Sequence, residues 1–230
     1  MNEHYDIVIV GGGAGGLAAA FAAKRLYREK SILMITRESK AVIPCAIPYV
    51  PHLIESCDKA LLPYDSLAKL GVDIVADEVV DVDRKSKRVI TASGKAYGYD
   101  KLLLAIGGLP SVPPIDGVTL KNVVTIYKGY EKVVELQKML RSANKIVIVG
   151  GGFVGVELAD DLADLKKDVT IVELLPHCLL LNFDEEFAVK AEGQLKRKGV
   201  KIITSRAVKR IYGKERVEGV ELDTRGENSS

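Results

Sequence analysis

The chain has 230 residues, enough for one large domain or two modest ones. Its 33 basic and 31 acidic residues leave a net charge of +2, which gives no electrostatic argument for a nucleic-acid partner. With 47% apolar residues the chain can bury a core, and its three scattered cysteines exclude a disulfide framework or a CxxC-type metal site.

The N-terminal region has no convincing targeting segment. Its first residues are acidic rather than basic, which is untypical of a signal peptide. The uncharged stretch 7–23 is 17 residues long and contains five glycines. It is shorter than the roughly 20 residues that a bilayer requires. We therefore expect a protein of a reducing, cytoplasmic compartment with no membrane partner.

The first predicted unit is a strand, a glycine turn, a helix and a second strand. The strand Ile7–Val10 has no polar alternation, as expected for a parallel strand covered on both faces. The alanine-rich stretch Leu17–Tyr27 favours a helix, and Ser31–Thr36 is the next predicted strand.

The turn of this unit fits the dinucleotide fingerprint G-x-G-x-x-G with Gly11, Gly13 and Gly16. The first glycine permits the tight turn, the second lets the backbone approach a pyrophosphate, and the third lets helix pack on strand. The fingerprint also asks for an acid at the end of the second strand, to hold a ribose hydroxyl. Thr36 occupies that place here, so Glu38 or the Thr36 hydroxyl is the candidate for this contact.

Between the two glycine motifs the sequence has short apolar runs rather than a strand, turn and helix. Val72–Val75 and Val79–Val82 are predicted as short strands, and the second leads into a charged hairpin turn. Lys101–Gly108 predicts another buried strand that ends in glycines. These elements indicate a small antiparallel β insertion and one further strand.

Three prolines between residues 110 and 114 indicate a linker, so we place the boundary between domains 1–112 and 113–230 there. The seven residues Ile7–Gly13 recur identically as Ile146–Gly152. Two copies of one nucleotide-binding unit explain this repeat, whose period is too long for a solenoid. The sequence therefore predicts an α/β protein with two Rossmann-like βαβ domains, each built on a parallel sheet.

The second copy repeats the pattern of the first. Val154–Leu165 is the predicted helix, with Asp160, Asp161 and Asp164 on its solvent face, and Val169–Glu173 is the strand after it. A further helix, before the second glycine turn, is predicted from Tyr130 to Arg141.

Gly150, Gly152 and Gly155 fit the same fingerprint, and Glu173 supplies the acid that the first copy lacks. No arginine follows it immediately to receive a 2′-phosphate, although His177 is nearby. This favours NADH over NADPH.

Four separated elements give the sequence its resemblance to the two-dinucleotide flavoproteins, the pyridine nucleotide-disulfide oxidoreductases. The elements are Tyr5–Gly16, Tyr99–Gly107, Gly150–Glu157 and Leu180–Phe187. The resemblance implies FAD at the first turn and NADH at the second. The family's chains are longer, so we expect the FAD-binding domain 1–112 to lack its C-terminal return segment and the NAD(H)-binding domain 113–230 to be truncated. The family's homodimerisation domain is then expected to be absent.

The resemblance also implies a set of cofactor-binding residues. For FAD they are Gly11, Gly13, Ala14, Gly16, Arg37, Glu38, Val80, Ala105 and Gly107. For NAD(H) they are Gly150, Gly152, Phe153, Gly155, Glu157 and Glu173. In the family's pattern Phe153 is an aromatic gate over the flavin, and Glu157 helps to orient the nicotinamide.

Cys45 narrows the resemblance to one branch of the family. Ile43–Val50 is similar to the single-cysteine branch of coenzyme A-disulfide reductases, NADH oxidases and persulfide reductases. The dithiol branch needs a second cysteine where Val50 stands. Cys45 is therefore the expected catalytic residue, able to form a mixed disulfide with a small thiol or a sulfenic acid. The alternative is an inert core thiol.

The resemblance thus implies an NADH-dependent FAD oxidoreductase. Electrons would pass through FAD to a thiol or disulfide at Cys45, or to oxygen. Two alternatives stay open at this point: a nucleotide-binding module without turnover, and an electron carrier to a protein partner. No metal site is predicted.

Overall fold

The computed structural model describes residues 3–224, which fall into two compact units. Unit 1 comprises Met1–Cys45, Cys57–Leu109 and Lys128–Glu131. Unit 2 comprises Ala46–Ser56, Pro110–Tyr127 and Lys132–Ser230. The chain therefore leaves unit 1 directly after Cys45 and returns to it at Cys57. The assignment of FAD to 1–112 and of NAD(H) to 113–230 stays a prediction.

Unit 1 is a six-stranded mixed sheet with helices. Its strands are β1 (His4–Val10), β2 (Ile32–Thr36), β3 (Asp73–Ala76), β4 (Val79–Asp83), β5 (Arg88–Thr91) and β6 (Ala96–Leu104). Its helices are α1 (Ala14–Leu26) and α2 (Tyr64–Lys69), with a short 3₁₀ helix at Cys57–Ala60. Another 3₁₀ helix, Pro44–Tyr49, begins in unit 1 and continues into unit 2. The strand order is β3-β2-β1-β6-β5-β4, so β1 lies at the centre between its parallel neighbours β2 and β6.

The uncharged part of β1, Ile7–Val10, is buried or half-buried on both faces, as its sequence predicts. Val8 and Val10 enter one apolar cluster with Leu33 of β2, whereas Ile9 enters another with Leu17 of α1. Successive side chains of a strand point to opposite faces, so both clusters are filled from the same two strands. The core of unit 1 therefore fixes the ends of β1 and β2, where the first glycine turn lies.

One strand prediction for unit 1 is confirmed, and one prediction of burial is wrong in part. The predicted strand Val72–Val75 is β3, which pairs in parallel with β2 and so extends the parallel sheet. Most of the run Lys101–Gly108, which was expected to be buried, is exposed, with Leu104 at 58% and Ile106 at 69% exposure, whereas Leu102 packs against the apolar cluster of Val8. β5 pairs with residues 96–98 of β6 and does not extend along this run.

Unit 2 contains a smaller parallel sheet. Its strands are β7 (Lys145–Val149), β8 (Asp168–Val172) and β9 (Lys201–Ile203), with an antiparallel pair β10 (Val208–Tyr212) and β11 (Gly219–Leu222). Its helices are α3 (Tyr130–Ser142), which starts within unit 1, α4 (Phe153–Asp164) and α5 (Glu185–Arg197). Both units thus contain the predicted strand, turn, helix and parallel strand, which confirms the α/β fold class.

One prediction for α4 is wrong. Asp161 was expected on the solvent face together with Asp160 and Asp164, but it is buried, with only 3% of its surface exposed. Aspartate is almost never buried without partners, and Asp161 has two backbone N–H donors from segment 46–56.

Within residues 3–224 no helix is long and apolar enough to cross a membrane. In the same part of the chain, no group of three or more His, Cys, Asp and Glu side chains is arranged to hold a metal ion.

Candidate functional site

The first glycine turn joins β1 to α1, and its three glycines differ in what surrounds them. Gly11 has φ of +112°, a conformation that side chains disfavour. A Cβ at Gly16 would overlap the carbonyl oxygen of Gly11, so only glycine lets α1 start this close to the turn. A Cβ at Gly13 would meet no heavy atom of the described residues within 4 Å. Space is therefore left beside Gly13, and Ala14 begins the helix there.

A tyrosine that sequence reasoning missed secures this turn. The Tyr64 hydroxyl donates a hydrogen bond of 2.5 Å to the carbonyl oxygen of Gly12. Burial raises the pKa of Tyr64, so its hydroxyl stays protonated and can keep donating. Tyr64 lies on α2, far from the turn in sequence, and no local pattern indicates the contact.

The end of β6 reaches the same turn. The N–H of Ala105 donates to the carbonyl oxygen of Val10 at 2.8 Å, and Gly107 has a positive φ of +67°. Both predicted FAD residues therefore follow the strand beside β1. Val80, by contrast, lies on β4 and is 61% exposed; its predicted contact with FAD stays a prediction.

Glu38 and Arg37 follow β2, where the ribose contact was predicted. The Glu38 carboxylate accepts the backbone N–H of Tyr130 at 2.6 Å, at the first residue of α3. The exposed Arg37 guanidinium is 3.9 Å from the Glu78 carboxylate. Glu38 thus has a structural partner, and a contact with ribose would have to use its remaining lone pairs.

The second glycine turn, between β7 and α4, repeats the geometry of the first. Gly150 has φ of +104°, and its N–H donates to the carbonyl oxygen of Val172 at 2.9 Å. A Cβ at Gly155 would overlap the Gly150 carbonyl oxygen, whereas one at Gly152 would meet no described heavy atom within 4 Å. Both turns therefore have a left-handed first glycine, an open second position and a close-packed third.

Glu173 follows β8 and lies directly at the second turn. One carboxylate oxygen accepts the N–H of Gly151 at 2.5 Å, and the other accepts the N–H of Leu175 at 2.7 Å. These bonds hold a negative charge beside the glycine turn, the place that the fingerprint gives to the ribose-binding acid.

The first turn of α4 carries the two remaining NAD(H) candidates. Phe153 is the first residue of the helix, 47% exposed, and its ring lies edge-on to Phe183 with 5.7 Å between centroids. Glu157 lies one helical turn further on, and burial followed by the charge of this carboxylate raises the pKa of Tyr49.

The three cysteines differ in exposure. Cys45 is exposed and lies in the 3₁₀ helix Pro44–Tyr49, whereas Cys57 and Cys178 are buried. Burial raises the pKa of Cys178 to about 11, so this thiol stays protonated and unreactive at neutral pH. Only Cys45 is accessible to a substrate, which argues against the inert-core alternative for it.

Both turns fit a dinucleotide. Each offers N–H groups at the start of a helix of more than ten residues, and each leaves the second glycine uncovered where a pyrophosphate would approach. The first turn would hold FAD and the second NAD(H).

Comparison with known proteins agrees with this geometry. The family described as "Pyridine nucleotide-disulphide oxidoreductase" matches residues 5–229. An NADH oxidase of Methanocaldococcus jannaschii is 33% identical over 228 residues, covering 94% of this chain and 50% of that protein. An NAD(P)H coenzyme A polysulfide/persulfide reductase of Pyrococcus horikoshii is 35% identical, covering 96% and 51%. The chain thus spans about half the length of these relatives.

Solved structures give the same result. An NAD-dependent persulfide reductase from A. fulgidus matches with a TM-score of 0.82 and 31% identity, over 91% of this chain and 41% of that one. A ferredoxin reductase from Rhodopseudomonas palustris matches with a TM-score of 0.87 over 96% of this chain and 55% of that one. Its identity of 21% makes it a likeness of fold alone.

Proposed function

Because the chain belongs to the pyridine nucleotide-disulphide oxidoreductase family, we propose that it is the nucleotide-binding part of an NADH-dependent flavoprotein reductase. Its cofactors are FAD and NAD(H), and its acceptor is a small disulfide or persulfide at Cys45, or oxygen. The names of its relatives include NADH oxidase and coenzyme A persulfide reductase, which supports this range of acceptors.

The observation that carries the proposal is the pair of glycine turns with the same three-part geometry. A turn that served only tight packing would have no reason to leave its second glycine open. Here a Cβ at Gly13 or at Gly152 would meet no described heavy atom within 4 Å, and each glycine is the N-cap of a helix of more than ten residues. Two such turns suit a protein that binds two dinucleotides.

Cys45 supplies the chemistry at the acceptor. Its thiolate attacks one sulfur of a disulfide, so that the S–S bond breaks, one thiolate leaves and takes a proton, and a mixed disulfide forms on Cys45. Two electrons supplied by NADH would then break the S–S bond of the mixed disulfide, so that the second sulfur takes a proton from solvent and leaves as a thiol while Cys45 returns to the thiolate. FAD, when bound, supplies the two-electron relay for this step.

A basic concavity on unit 1 supports a phosphorylated thiol such as coenzyme A. Arg25 and Arg28 near the end of α1 line it beside exposed apolar surface of Leu26 and Leu70, together with Lys24, whose ammonium also donates to the carbonyl oxygens of Arg28 and Lys30. Cations bind phosphate groups, and apolar surface suits the adenine and pantetheine parts of the molecule.

The acceptor is tested by following one reaction in two ways. The FAD-loaded protein is mixed with NADH and coenzyme A disulfide in air, and oxygen uptake and thiol release are measured together. Release of two thiols per NADH with little oxygen uptake identifies disulfide reductase activity, and the reverse identifies an oxidase. If neither occurs while NADH is present, the proposed function is wrong.

We expect Glu173→Ala to shift coenzyme preference from NADH toward NADPH by about tenfold or more, since like charges in close contact cost several kcal/mol. The substitution removes the carboxylate that repels the 2′-phosphate of NADPH and binds the 2′-hydroxyl of NADH. Steady-state kinetics with both coenzymes measures this ratio.

Glu173→Gln is the matched control, because its amide oxygen can still bond the turn. A shift in Glu173→Gln as well shows that the charge discriminates between the coenzymes. An unchanged NADH to NADPH ratio in both variants would contradict the assignment.

A further inference from the structure

Each glycine turn is held by a hydrogen bond to the carbonyl group of its middle residue, the one between the first and second glycines of the fingerprint. In the first turn the Gly12 carbonyl oxygen accepts the Tyr64 hydroxyl at 2.5 Å. In the second the Gly151 carbonyl oxygen accepts the N–H of Leu179 at 2.8 Å. Both donors belong to segments distant in sequence from the turn that they bond, and both middle glycines are buried.

The middle residue has to be glycine in both turns because of the groups that pack behind it. A Cβ at Gly12 would overlap the hydroxyls of Tyr64 and Thr36. One at Gly151 would overlap the sulfur of Cys178, the residue before the one that bonds the turn. The fingerprint leaves this position free, so the requirement for glycine comes from the attachment of the turn.

The bond to the Gly12 carbonyl also fixes the direction of the next N–H group, that of Gly13. The peptide group between them is planar and trans, so the Gly13 N–H points away from the carbonyl oxygen that Tyr64 bonds. This N–H has no acceptor among residues 3–224. Gly13 is exposed and is the N-cap of α1, so an unpaired donor lies at the open position proposed for a pyrophosphate.

The three consecutive glycines Gly11–Gly13 give this peptide group little resistance to rotation. Glycine has no Cβ and the widest range of φ and ψ, so a peptide group between two glycines can turn over at small steric cost. A rotated peptide would present its carbonyl oxygen to a phosphate in place of its N–H. The Tyr64 ring is buried in an apolar cluster with Leu17 and Leu67, so its hydroxyl is held in place to prevent the rotation.

We propose that Tyr64 is a positioning residue for FAD: its hydroxyl holds the Gly12 carbonyl so that the Gly13 N–H faces the pyrophosphate. The inference rests on the proposed function, in which the first turn binds FAD. A ligand that requires one conformation binds more weakly in proportion to the fraction of the protein that has left it. Tyr64 therefore contributes to FAD affinity through the turn.

Tyr64→Phe tests this role, because it removes the hydroxyl and keeps the buried ring. Loss of one hydrogen bond is expected to weaken FAD binding about two- to tenfold. FAD affinity is measured on the full chain by titration with FAD, followed by flavin fluorescence. NADH affinity of the FAD-free chain, followed by NADH fluorescence, should be unchanged, because the second turn is held by Leu179.

Tyr5→Phe is the matched control, since it removes another buried tyrosine hydroxyl from unit 1. The Tyr5 hydroxyl donates to the Asp73 carboxylate at 2.7 Å, and Tyr5 lies at the opposite end of β1 from the glycine turn. Denaturant unfolding should show that both variants fold and that both are less stable than wild type. Only Tyr64→Phe should lose FAD affinity.

A double variant checks that Tyr64 acts through the turn. In Gly13→Ala the added methyl group keeps the pyrophosphate away from the Gly13 N–H, so the direction of that N–H no longer matters. Tyr64→Phe in this background should cause little further loss of FAD affinity, because the effects of coupled residues are not additive.

The outcomes distinguish the inference from the function on which it rests. The inference alone is overturned if Tyr64→Phe binds FAD as wild type does, if Tyr5→Phe weakens FAD equally, or if Tyr64→Phe adds its full effect to Gly13→Ala. If the wild-type chain binds no FAD, or if Gly13→Ala binds it as wild type does, the FAD site proposed at the first turn is wrong, and the inference fails with it.

Discussion

Replacing Cys45 with serine is expected to reduce disulfide-dependent thiol release by about a hundredfold or more, on the scale that loss of a nucleophile produces. A serine hydroxyl cannot form a mixed disulfide or take part in two-electron sulfur chemistry. Because Cys45 is exposed, the change should leave folding and flavin content unaltered. Thiol release from coenzyme A disulfide with NADH measures the effect.

Cys57→Ala is the matched control, since it removes a buried thiol from the same unit. It should retain thiol release at the wild-type rate once its stability has been checked by thermal unfolding. Equal rates of thiol release and oxygen uptake in Cys45→Ser and wild type would show that the cysteine has no role in turnover.

Two substitutions in the first glycine turn are expected to have different effects, one on the stability of unit 1 and the other on FAD binding. Gly16→Ala puts a methyl group onto the Gly11 carbonyl oxygen, so we expect it to destabilise unit 1 by about 1–3 kcal/mol, as overpacking does. Gly13→Ala meets open space in the protein and should change stability by no more than about 0.5 kcal/mol. Its methyl group would lie where the pyrophosphate approaches, so FAD affinity should fall by about tenfold or more, or 1.4 kcal/mol.

Gly15→Ala is the control for both changes, because its Cβ also meets open space but the fingerprint does not require glycine there. Denaturant unfolding measures stability, and the visible spectrum after incubation with FAD measures binding. If Gly13→Ala binds FAD as tightly as wild type, the open position is not the pyrophosphate site.

The parts of the fold that could be predicted are those that local sterics dictate. Positive φ at Gly11 and Gly150, and the close packing at the third glycines, can be met only by glycine, so their spacing identified both turns. The part of β1 from Ile7 to Val10 could be predicted in the same way, because a parallel strand covered on both faces is a continuous apolar run.

The parts that could not be predicted depend on contacts between residues distant in sequence. Asp161 was placed on the solvent face because helical aspartates are usually solvated, yet its partners come from residues 52 and 53. The Tyr64 bond to the first turn is of the same kind. The exposed end of β6 was misjudged because an apolar run does not reveal whether another segment packs over its faces.

The glycine turns, Glu173 and Cys45 could be singled out from the sequence by their motifs, and their roles in binding and catalysis stay predictions. The partners that hold them, such as the N–H of Tyr130 on Glu38, belong to segments whose meeting no motif encodes.

Anaerobic addition of NADH to the chain after incubation with FAD tests the central claim most directly. We predict that the protein binds flavin and that stoichiometric NADH bleaches its visible absorbance, because one ligand delivers hydride to the other on the same chain. A protein that takes up no FAD, or whose flavin colour persists in excess NADH, would contradict the account.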